Sequence, residues 1–106
     1  MISVCMATYN GEKFIIRQLD SIIKQLDSND QIVIVDDCSK DHTVQIIKDT
    51  YGDRVDVYIN KKNIGPIKSF EKAISLANGD YIFLSDQDDI WEDNKVEEVL
   101  NAFIND

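Results

Sequence analysis

The stretch QIVIVDD, residues 31–37, decides the fold class of this chain. Its unbroken run of isoleucine and valine is typical of a strand that is buried on both faces, and such strands belong to parallel sheets that helices cover on both sides. The two aspartates follow at the point where the strand ends. The stretch therefore predicts an inner strand of a parallel sheet with an acidic carboxyl end.

Outward from residues 31–37, short strand-like runs alternate with segments of helical periodicity, which is the pattern of an α/β fold with a mainly parallel sheet. The other strands are predicted at 2–7, 54–60 and 80–85. Helices are predicted at 11–26, at 39–52 with Ser39 or Asp41 as the cap, from Gly65 and Pro66 to Asn78, and around 96–103. We predict one domain over residues 1–106, with flanking helices, a Rossmann-like arrangement and strand order 3-2-1-4.

Composition excludes several classes of function. Acidic residues outnumber basic ones by 20 to 11, giving a net charge of −9, which argues against binding a nucleic-acid backbone or an anionic membrane surface. No apolar run approaches the ~18 residues of a membrane span, and the N-terminus lacks the pattern of a signal peptide. The two cysteines are too few and too far apart for a disulfide framework. We therefore expect a cytoplasmic protein with no transmembrane segment.

Polar residues follow the carboxyl end of every predicted strand. In an open parallel sheet these ends lie along one edge, and the crevice there is the default ligand site. With strand order 3-2-1-4, the switch point falls between the first and fourth strands. We therefore predict one pocket that is surrounded by Thr8, Asn10, Asp36, Asp37, Asn63 and the cluster from Asp86 to Asp89.

The stretch YIFLSDQDDIW, residues 81–91, holds Asp86, Asp88 and Asp89 within four positions. Two carboxylates about 4 Å apart repel by roughly 4 kcal/mol at an effective dielectric near 20, so the cluster needs a proton, a cation or open water. Carboxylates spaced as Asp-x-Asp suit Mg²⁺ or Mn²⁺, which prefer oxygen ligands. The alternative is an acidic loop left in water. We favour a ligand role, because the cluster ends a buried strand and faces a second acid pair.

Asp36 and Asp37 also have two interpretations. An aspartate after a strand often caps the next helix, and one of the two could do only that. A carboxylate here could instead accept a hydrogen bond from a sugar hydroxyl or a base N–H. The first turn, residues 7–14, contains a single glycine and no glycine-rich phosphate loop, so diphosphate charge would have to be met mainly by a metal and by Lys68 or another cation.

Three stretches, SVCMATYNGEKFIIRQLDSI (3–22), IVIVDDCSKDHT (32–43) and NIGPIKSFEKAISLANGDYIFLSDQDD (63–89), together resemble the N-terminal, nucleotide-binding half of the family 2 glycosyltransferases, which have the GT-A fold. The resemblance covers nearly the whole chain and keeps the order of four motifs. It implies inverting transfer of a sugar from a nucleotide diphosphate sugar to an acceptor hydroxyl in cell-surface polysaccharide synthesis. The implied donor is a UDP- or dTDP-sugar, and the variant SDQDDIW, residues 85–91, resembles rhamnosyltransferase-like members, which points toward the deoxythymidine type.

The resemblance also implies a role for individual residues. Thr8 and Tyr9 should line the base and ribose pocket, and Asp37, more strongly than Asp36, should reach the base edge. Lys68 stands where many members have an arginine, which makes bidentate contacts that a lysine cannot make. The predicted nucleotide-binding residues are Thr8, Tyr9, Asn10, Asp36, Asp37, Asn63, Lys68 and Asp86, and the predicted ligands of Mn²⁺ or Mg²⁺ are Asp88 and Asp86.

Family catalytic domains are longer than 106 residues, so the resemblance implies that the acceptor site and the general base lie outside this chain. We assign no catalytic base here, and we expect the chain alone not to transfer sugar to a glycan or lipid-linked acceptor. Attachment of the full-length enzyme to the inner face of the membrane and homo-oligomer formation are further expectations. Two alternatives stay open: a non-catalytic nucleotide-binding module, and a receiver-type phosphoacceptor domain, whose order of acidic residues this chain does not follow.

Overall fold

The computed structural model describes residues 1–87 and 89–105, and within them four strands alternate with four α-helices. The strands are β1 (Ile2–Thr8), β2 (Gln31–Asp36), β3 (Asp56–Ile59) and β4 (Tyr81–Ser85). The helices are α1 (Ile15–Ile23), α2 (Thr43–Tyr51), α3 (Pro66–Leu76) and α4 (Lys95–Asn105), and a short 3₁₀ turn, Gly52–Arg54, follows α2.

The sheet has the order β3-β2-β1-β4 with all neighbours parallel, which confirms the predicted order 3-2-1-4. β1 lies at the centre, and its last residue, Thr8, pairs with Asp36 at the end of β2. On the other side of β1, Met6 pairs with Ser85, the last residue of β4. The register therefore brings the carboxyl ends of all the strands to one edge of the sheet.

Helices pack on both faces of the sheet and form two hydrophobic cores. The larger core joins alternate residues of β1 and β2 to α1, α2 and the start of α4, and the smaller one places Cys5, Val33 and Val35 against Ala73 of α3. Fully burying a Val, Leu or Ile side chain contributes roughly 1.5–3 kcal/mol. The predicted burial of the QIVIVDD strand on both faces is confirmed, because Ile32 and Ile34 belong to one core and Val33 and Val35 to the other.

Helix ends follow the predicted signals in two places and differ in a third. α3 begins at Pro66, directly after Gly65 with φ of 89°, and α2 ends at Tyr51, directly before Gly52 with φ of 51°. However, α2 begins only at Thr43, so neither Ser39 nor Asp41 is its cap residue. Asp41 instead accepts a hydrogen bond from the Thr43 N–H at 2.9 Å.

The predicted apolar faces of α3 and α4 are less buried than the sequence suggests. Ile74 is 40% exposed and Phe103 is 66% exposed. On the edge strand β4, Ile82 and Leu84 are also exposed, because α3 covers the central strands on that face of the sheet. Within the described residues, no helix combines the length and the apolar character that crossing a membrane requires.

Candidate functional site

A pocket of about 380 Å³ lies at the carboxyl edge of the sheet. It sits between the end of β1 and the loops that follow β2, β3 and β4, which is where the switch point of the strand order falls. Its walls are formed by Ala7, Thr8, Tyr9, Asp37, Asn63, Gly65, Pro66, Ser69, Phe70, Asp86 and Gln87.

The structure brings together five of the residues predicted for nucleotide binding. Thr8, Tyr9, Asp37, Asn63 and Asp86 all line the pocket. The other predicted residues within the described part of the chain, which are Asn10, Asp36 and Lys68, are not among those that line it. The predicted metal ligand Asp88 lies outside the described residues.

Asp37 is buried and accepts several hydrogen bonds from the chain around it. Its Oδ1 accepts from the Ile64 N–H at 2.7 Å and from Asn60 Nδ2 at 3.1 Å, and its Oδ2 accepts from the Gly65 N–H at 2.9 Å. Burial raises the pKa of Asp37, but these donors together lower it further, so its pKa lies below the ordinary value. Asp37 therefore stays ionised and fixes the loop that leads into α3.

Asp36 is fully buried and binds the end of β1 to the loop after β2. Its Oδ1 accepts from Thr8 Oγ1 at 2.7 Å and from Ser39 Oγ at 2.6 Å, and its Oδ2 accepts from the Ser39 N–H at 2.8 Å. Three donors on two different segments meet at this one carboxylate. Asp36 thus holds the pocket residue Thr8 and the loop after β2 in place.

The loop after β1 and the loop after β2 are joined by reciprocal hydrogen bonds, which we call the loop clasp. The Asn10 N–H donates to Ser39 Oγ at 2.9 Å, and Asn10 Oδ1 accepts from the Lys40 N–H at 2.9 Å. Asn10 has a φ of 50°, a left-handed conformation in which asparagine is enriched. The structure therefore puts Asn10 in the clasp beside the pocket.

Asp41 is the acidic member of the loop clasp. Its carboxylate accepts from Thr43 Oγ1, from the Thr43 N–H and from the Glu12 N–H. Burial raises the pKa of Asp41, and these hydrogen bonds lower it by more, so its pKa lies below the ordinary value. A charged Asp41 therefore stabilises the first turn of α2 and the neighbouring loop together.

Sequence reasoning missed Gln87, which lines the pocket, and Asn60, which binds the pocket residue Asp37. Gln87, between two predicted metal-site aspartates, accepts from the Tyr9 N–H at 2.7 Å. Asn60 was assigned to a strand, although it is buried behind Asp37 and also donates to Ser69 Oγ at 3.1 Å. The signal for Asn60 is a polar residue at the end of an alternating strand, while the predicted Asn63 lines the pocket itself.

The charges around the pocket suit a hard cation. None of its lining residues in the described part of the chain is a lysine or an arginine, and Asp37 and Asp86 add negative charge. Among residues 1–87 and 89–105, no group of three or more His, Cys, Asp or Glu side chains could hold a metal. Mg²⁺ commonly takes only one or two carboxylates from protein, so exposed Asp86 fits part of such a site.

Comparison with known proteins agrees with the order of the sheet. The chain is similar to dTDP-rhamnosyl transferase RfbG of Shigella flexneri, with 39% identity over 106 residues that cover 93% of this chain and 37% of that protein. Its structure matches the crystal structure of S. aureus TarS 1–349 in complex with UDP-GlcNAc, with a TM-score of 0.86 and 34% identity, over 98% of this chain and 31% of that one.

A third match shows the fold alone. Mannosyltransferase PcManGT from Pyrobaculum calidifontis, in complex with GDP-Man and Mn²⁺, gives a TM-score of 0.82 at 24% identity and covers 93% of this chain and 31% of that one. This chain thus spans about a third of the length of each of these proteins.

The family model described as Glycosyl transferase family 2 matches residues 3–106. This result confirms the resemblance of the motifs and rules out the receiver-type alternative, and the structural matches confirm the GT-A arrangement of the sheet. The chain therefore belongs to glycosyl transferase family 2.

Proposed function

We propose that residues 1–106 form the donor-binding half of an inverting glycosyltransferase, which transfers a sugar from a UDP- or dTDP-sugar during cell-surface polysaccharide synthesis. The observation that carries this proposal is the pocket at the switch point, because it gathers Thr8, Tyr9, Asp37, Asn63 and Asp86. The nucleotide sugars named for RfbG and TarS support the class of donor. A cytoplasmic location, at the inner face of the membrane, stays a prediction.

The nucleoside would bind between the end of β1 and the start of α3. Phe70 and Pro66 provide an apolar wall, and Tyr9, which is 41% exposed, offers a ring against which a base or ribose can pack. Within the described residues, Asp37 Oδ2 accepts a hydrogen bond only from the Gly65 N–H. It keeps a lone pair for a ring N–H of a pyrimidine, because each carboxylate oxygen accepts about two hydrogen bonds.

The diphosphate would bind near the acidic turn after β4. Without lysine or arginine in the described lining, its charge needs a cation, and we propose Mn²⁺ or Mg²⁺ held by Asp86 and Asp88. When bound, the metal supplies positive charge that stabilises the departing nucleotide. Lys68, exposed in the first turn of α3, is a second predicted phosphate contact.

The acceptor, a glycan or a lipid-linked glycan, would bind to parts of a longer enzyme. Direct transfer needs a base within hydrogen-bond reach of the acceptor hydroxyl. The carboxylates that line or support the described pocket already have roles, since Asp36 and Asp37 hold loops and Asp86 faces the proposed cation. We therefore propose that this chain binds the donor without transferring its sugar.

Calorimetric titration with UDP and dTDP tests the proposal, each in Mn²⁺ and in chelator. We expect binding in both conditions and tighter binding with Mn²⁺, and we expect no glycoside in a product assay with donor and acceptor glycans. Equal affinity in both conditions would contradict the metal site. Failure to bind either nucleotide would favour another function for the pocket, and acceptor-dependent product would show that the chain contains its own base.

A further inference from the structure

One side of α1 carries polar residues that bind the segment between β4 and α4. Gln18 Nε2 donates to Ser85 Oγ at 3.0 Å and to the Asp86 carbonyl at 2.5 Å. One turn further along, Ser21 Oγ accepts from the Trp91 N–H at 3.0 Å. We call Gln18, Ser21 and Gln25 the polar ladder. Gln18 and Ser21 lie on one side of α1, and Gln25 lies in the turn just after its last residue, Ile23.

The third member of the polar ladder extends the same contact toward α4. Gln25 Nε2 donates to the Glu92 carbonyl at 2.6 Å, and Gln25 Oε1 accepts from the Val96 N–H at 2.9 Å. The polar ladder thus binds backbone groups at both ends of the segment between β4 and α4, from the Asp86 carbonyl to the Val96 N–H in the first turn of α4.

The burial of Gln18 makes its polarity informative. Gln18 is fully buried and its helical neighbours Leu19 and Ile22 belong to the larger core. A buried amide destabilises the folded state unless its donors and acceptor are bonded. Here the amide donates to the main-chain carbonyl of Asp86, in the segment between β4 and α4. The polar group of Gln18 therefore serves that segment, because the described hydrophobic side chains of the larger core offer it no carbonyl acceptor.

The carbonyl that Gln18 binds also closes a turn. Asp86 O accepts from the Asp89 N–H at 3.1 Å, so the same oxygen receives both donors. At the far end, Trp91 is 3% exposed, with its ring centroid 5.8 Å from that of Phe83. The segment after β4 is therefore bound on its buried side at Asp86 and at Trp91, while the Asp86 side chain stays exposed at the pocket.

We propose that Gln18 is a positioning residue for the metal site: from the buried side it holds the turn whose carboxylates take the cation. This inference rests on the proposed function. Carboxylates that repel one another bind a cation well only when the chain already holds them in place, and residues behind the ligands provide this. Gln18 does not line the pocket, so it acts only through the turn.

The variant Gln18→Met tests the role, because methionine keeps the length of the side chain and removes its N–H donors. The matched control is Ser3→Ala, which removes an equally buried polar group at the opposite end of β1, where Ser3 Oγ binds Gln31 and Gly79. UDP is titrated in Mn²⁺ and in chelator. We expect Gln18→Met to reduce the gain in affinity from Mn²⁺ by about tenfold, as outer-shell changes typically do, and to leave the affinity in chelator unchanged.

A second readout needs neither ligand. Exchange of the Asp89 amide proton, followed by NMR, should be faster in Gln18→Met than in Ser3→Ala, because the carbonyl that binds it loses its second partner. Should Gln18→Met fail to fold, Gln25→Met repeats the titration at a partly exposed position of the ladder. There we expect a smaller reduction of the Mn²⁺ gain.

The outcomes separate this inference from the proposed function. If the unmodified chain gains no affinity from Mn²⁺, the proposed metal site fails and the role of Gln18 fails with it. If the unmodified chain gains affinity and the Gln18 and Gln25 variants keep that gain, only the positioning role is wrong. Equal losses in Mn²⁺ and in chelator, or unchanged Asp89 exchange, would also overturn it.

Discussion

The acidic residues after β2 and those after β4 lie at the same edge of the sheet but are held in opposite ways. Asp36 and Asp37 are buried, and protein groups donate hydrogen bonds to their carboxylates. Asp86 is exposed, and within the described residues the chain binds its backbone carbonyl and not its carboxylate. In the first region the side chain supports the backbone, and in the second the backbone supports the side chain.

The position of each strand explains this difference. β2 is an inner strand whose carboxyl end is covered by the loops after β1 and β3, so a carboxylate there must be bonded to remain charged. β4 is an edge strand, and the loop that follows it opens into the pocket. A carboxylate with few internal partners is the one that can bind a cation, whereas a carboxylate with many partners determines the shape of the site.

The largest expected effect of this contrast is on folding stability. Asp37→Ala leaves the N–H groups of Ile64 and Gly65 without their acceptor, so we expect a loss of about 3 kcal/mol in the free energy of unfolding. Asp86→Ala, at an exposed position, should change that free energy by less than about 0.5 kcal/mol. Urea denaturation of both variants measures the two values. Similar losses for both would remove the distinction between the regions.

The second expected effect is on nucleotide binding. Here the dependence on Mn²⁺ should change more on substitution after β4 than on substitution after β2. Asp88→Ala should abolish most of the gain in UDP affinity from Mn²⁺, about tenfold or 1.4 kcal/mol. Asp37→Asn, which keeps the size of the side chain, should weaken UDP binding equally in Mn²⁺ and in chelator. Calorimetry in both conditions distinguishes them. If both variants lost the Mn²⁺ gain alike, Asp37 would belong to the metal site as well.

The third expected effect is a dependence of stability on pH that comes from Asp37. Its pKa in the folded state lies below the ordinary value of 3.8, so its charge stabilises the fold above pH 3.8. That contribution is lost as the pH falls from 3.8 through the folded pKa. The unfolding free energy of the unmodified chain should therefore exceed that of Asp37→Asn at neutral pH, and the difference should shrink below pH 3.8.

Asp86→Asn is the control for this titration, since its exposed side chain has no described internal donor to lose. Denaturation curves at neutral pH and at several values below 3.8 are needed for all three proteins. A difference between the unmodified chain and Asp37→Asn that stays constant with pH would show that the hydrogen bonds do not depend on the charge of Asp37.

The sequence predicts the frame that carries both regions. The Ile and Val run of β2 predicted an inner strand of a parallel sheet, and the polar residues after each strand predicted the edge at which the pocket lies. These features could be predicted because strand periodicity and burial are properties of short segments. Five of the predicted nucleotide-binding residues do line one pocket.

The contrast between the two regions could not be predicted in the same way. Whether an aspartate is bonded internally depends on backbone N–H groups such as those of Ile64 and Gly65, which approach Asp37 only after the sheet has formed. The same reason explains why α2 begins at Thr43, since Ser39 is already bound to Asp36 and Asn10. Gln18 gave no signal, because one polar residue in a helix is ordinarily exposed.

The smallest expected effect belongs to Asp89, which lies in the region after β4 and forms an ion pair with Lys95. Its Oδ2 lies 3.7 Å from Lys95 Nζ, which also sits 4.6 Å from the centroid of the Trp91 ring. The Asp89 and Lys95 side chains are 42% and 35% exposed, and an ion pair of this kind contributes about 0–1 kcal/mol. Asp89→Asn should therefore change the unfolding free energy by less than about 0.5 kcal/mol.

Because Lys95 already balances its charge, Asp89→Asn should also leave the Mn²⁺ gain in UDP affinity nearly intact. The same calorimetric titrations check this, with Asp88→Ala measured alongside. If Asp89→Asn lost as much of the Mn²⁺ gain as Asp88→Ala, Asp89 would also be a ligand of the proposed cation.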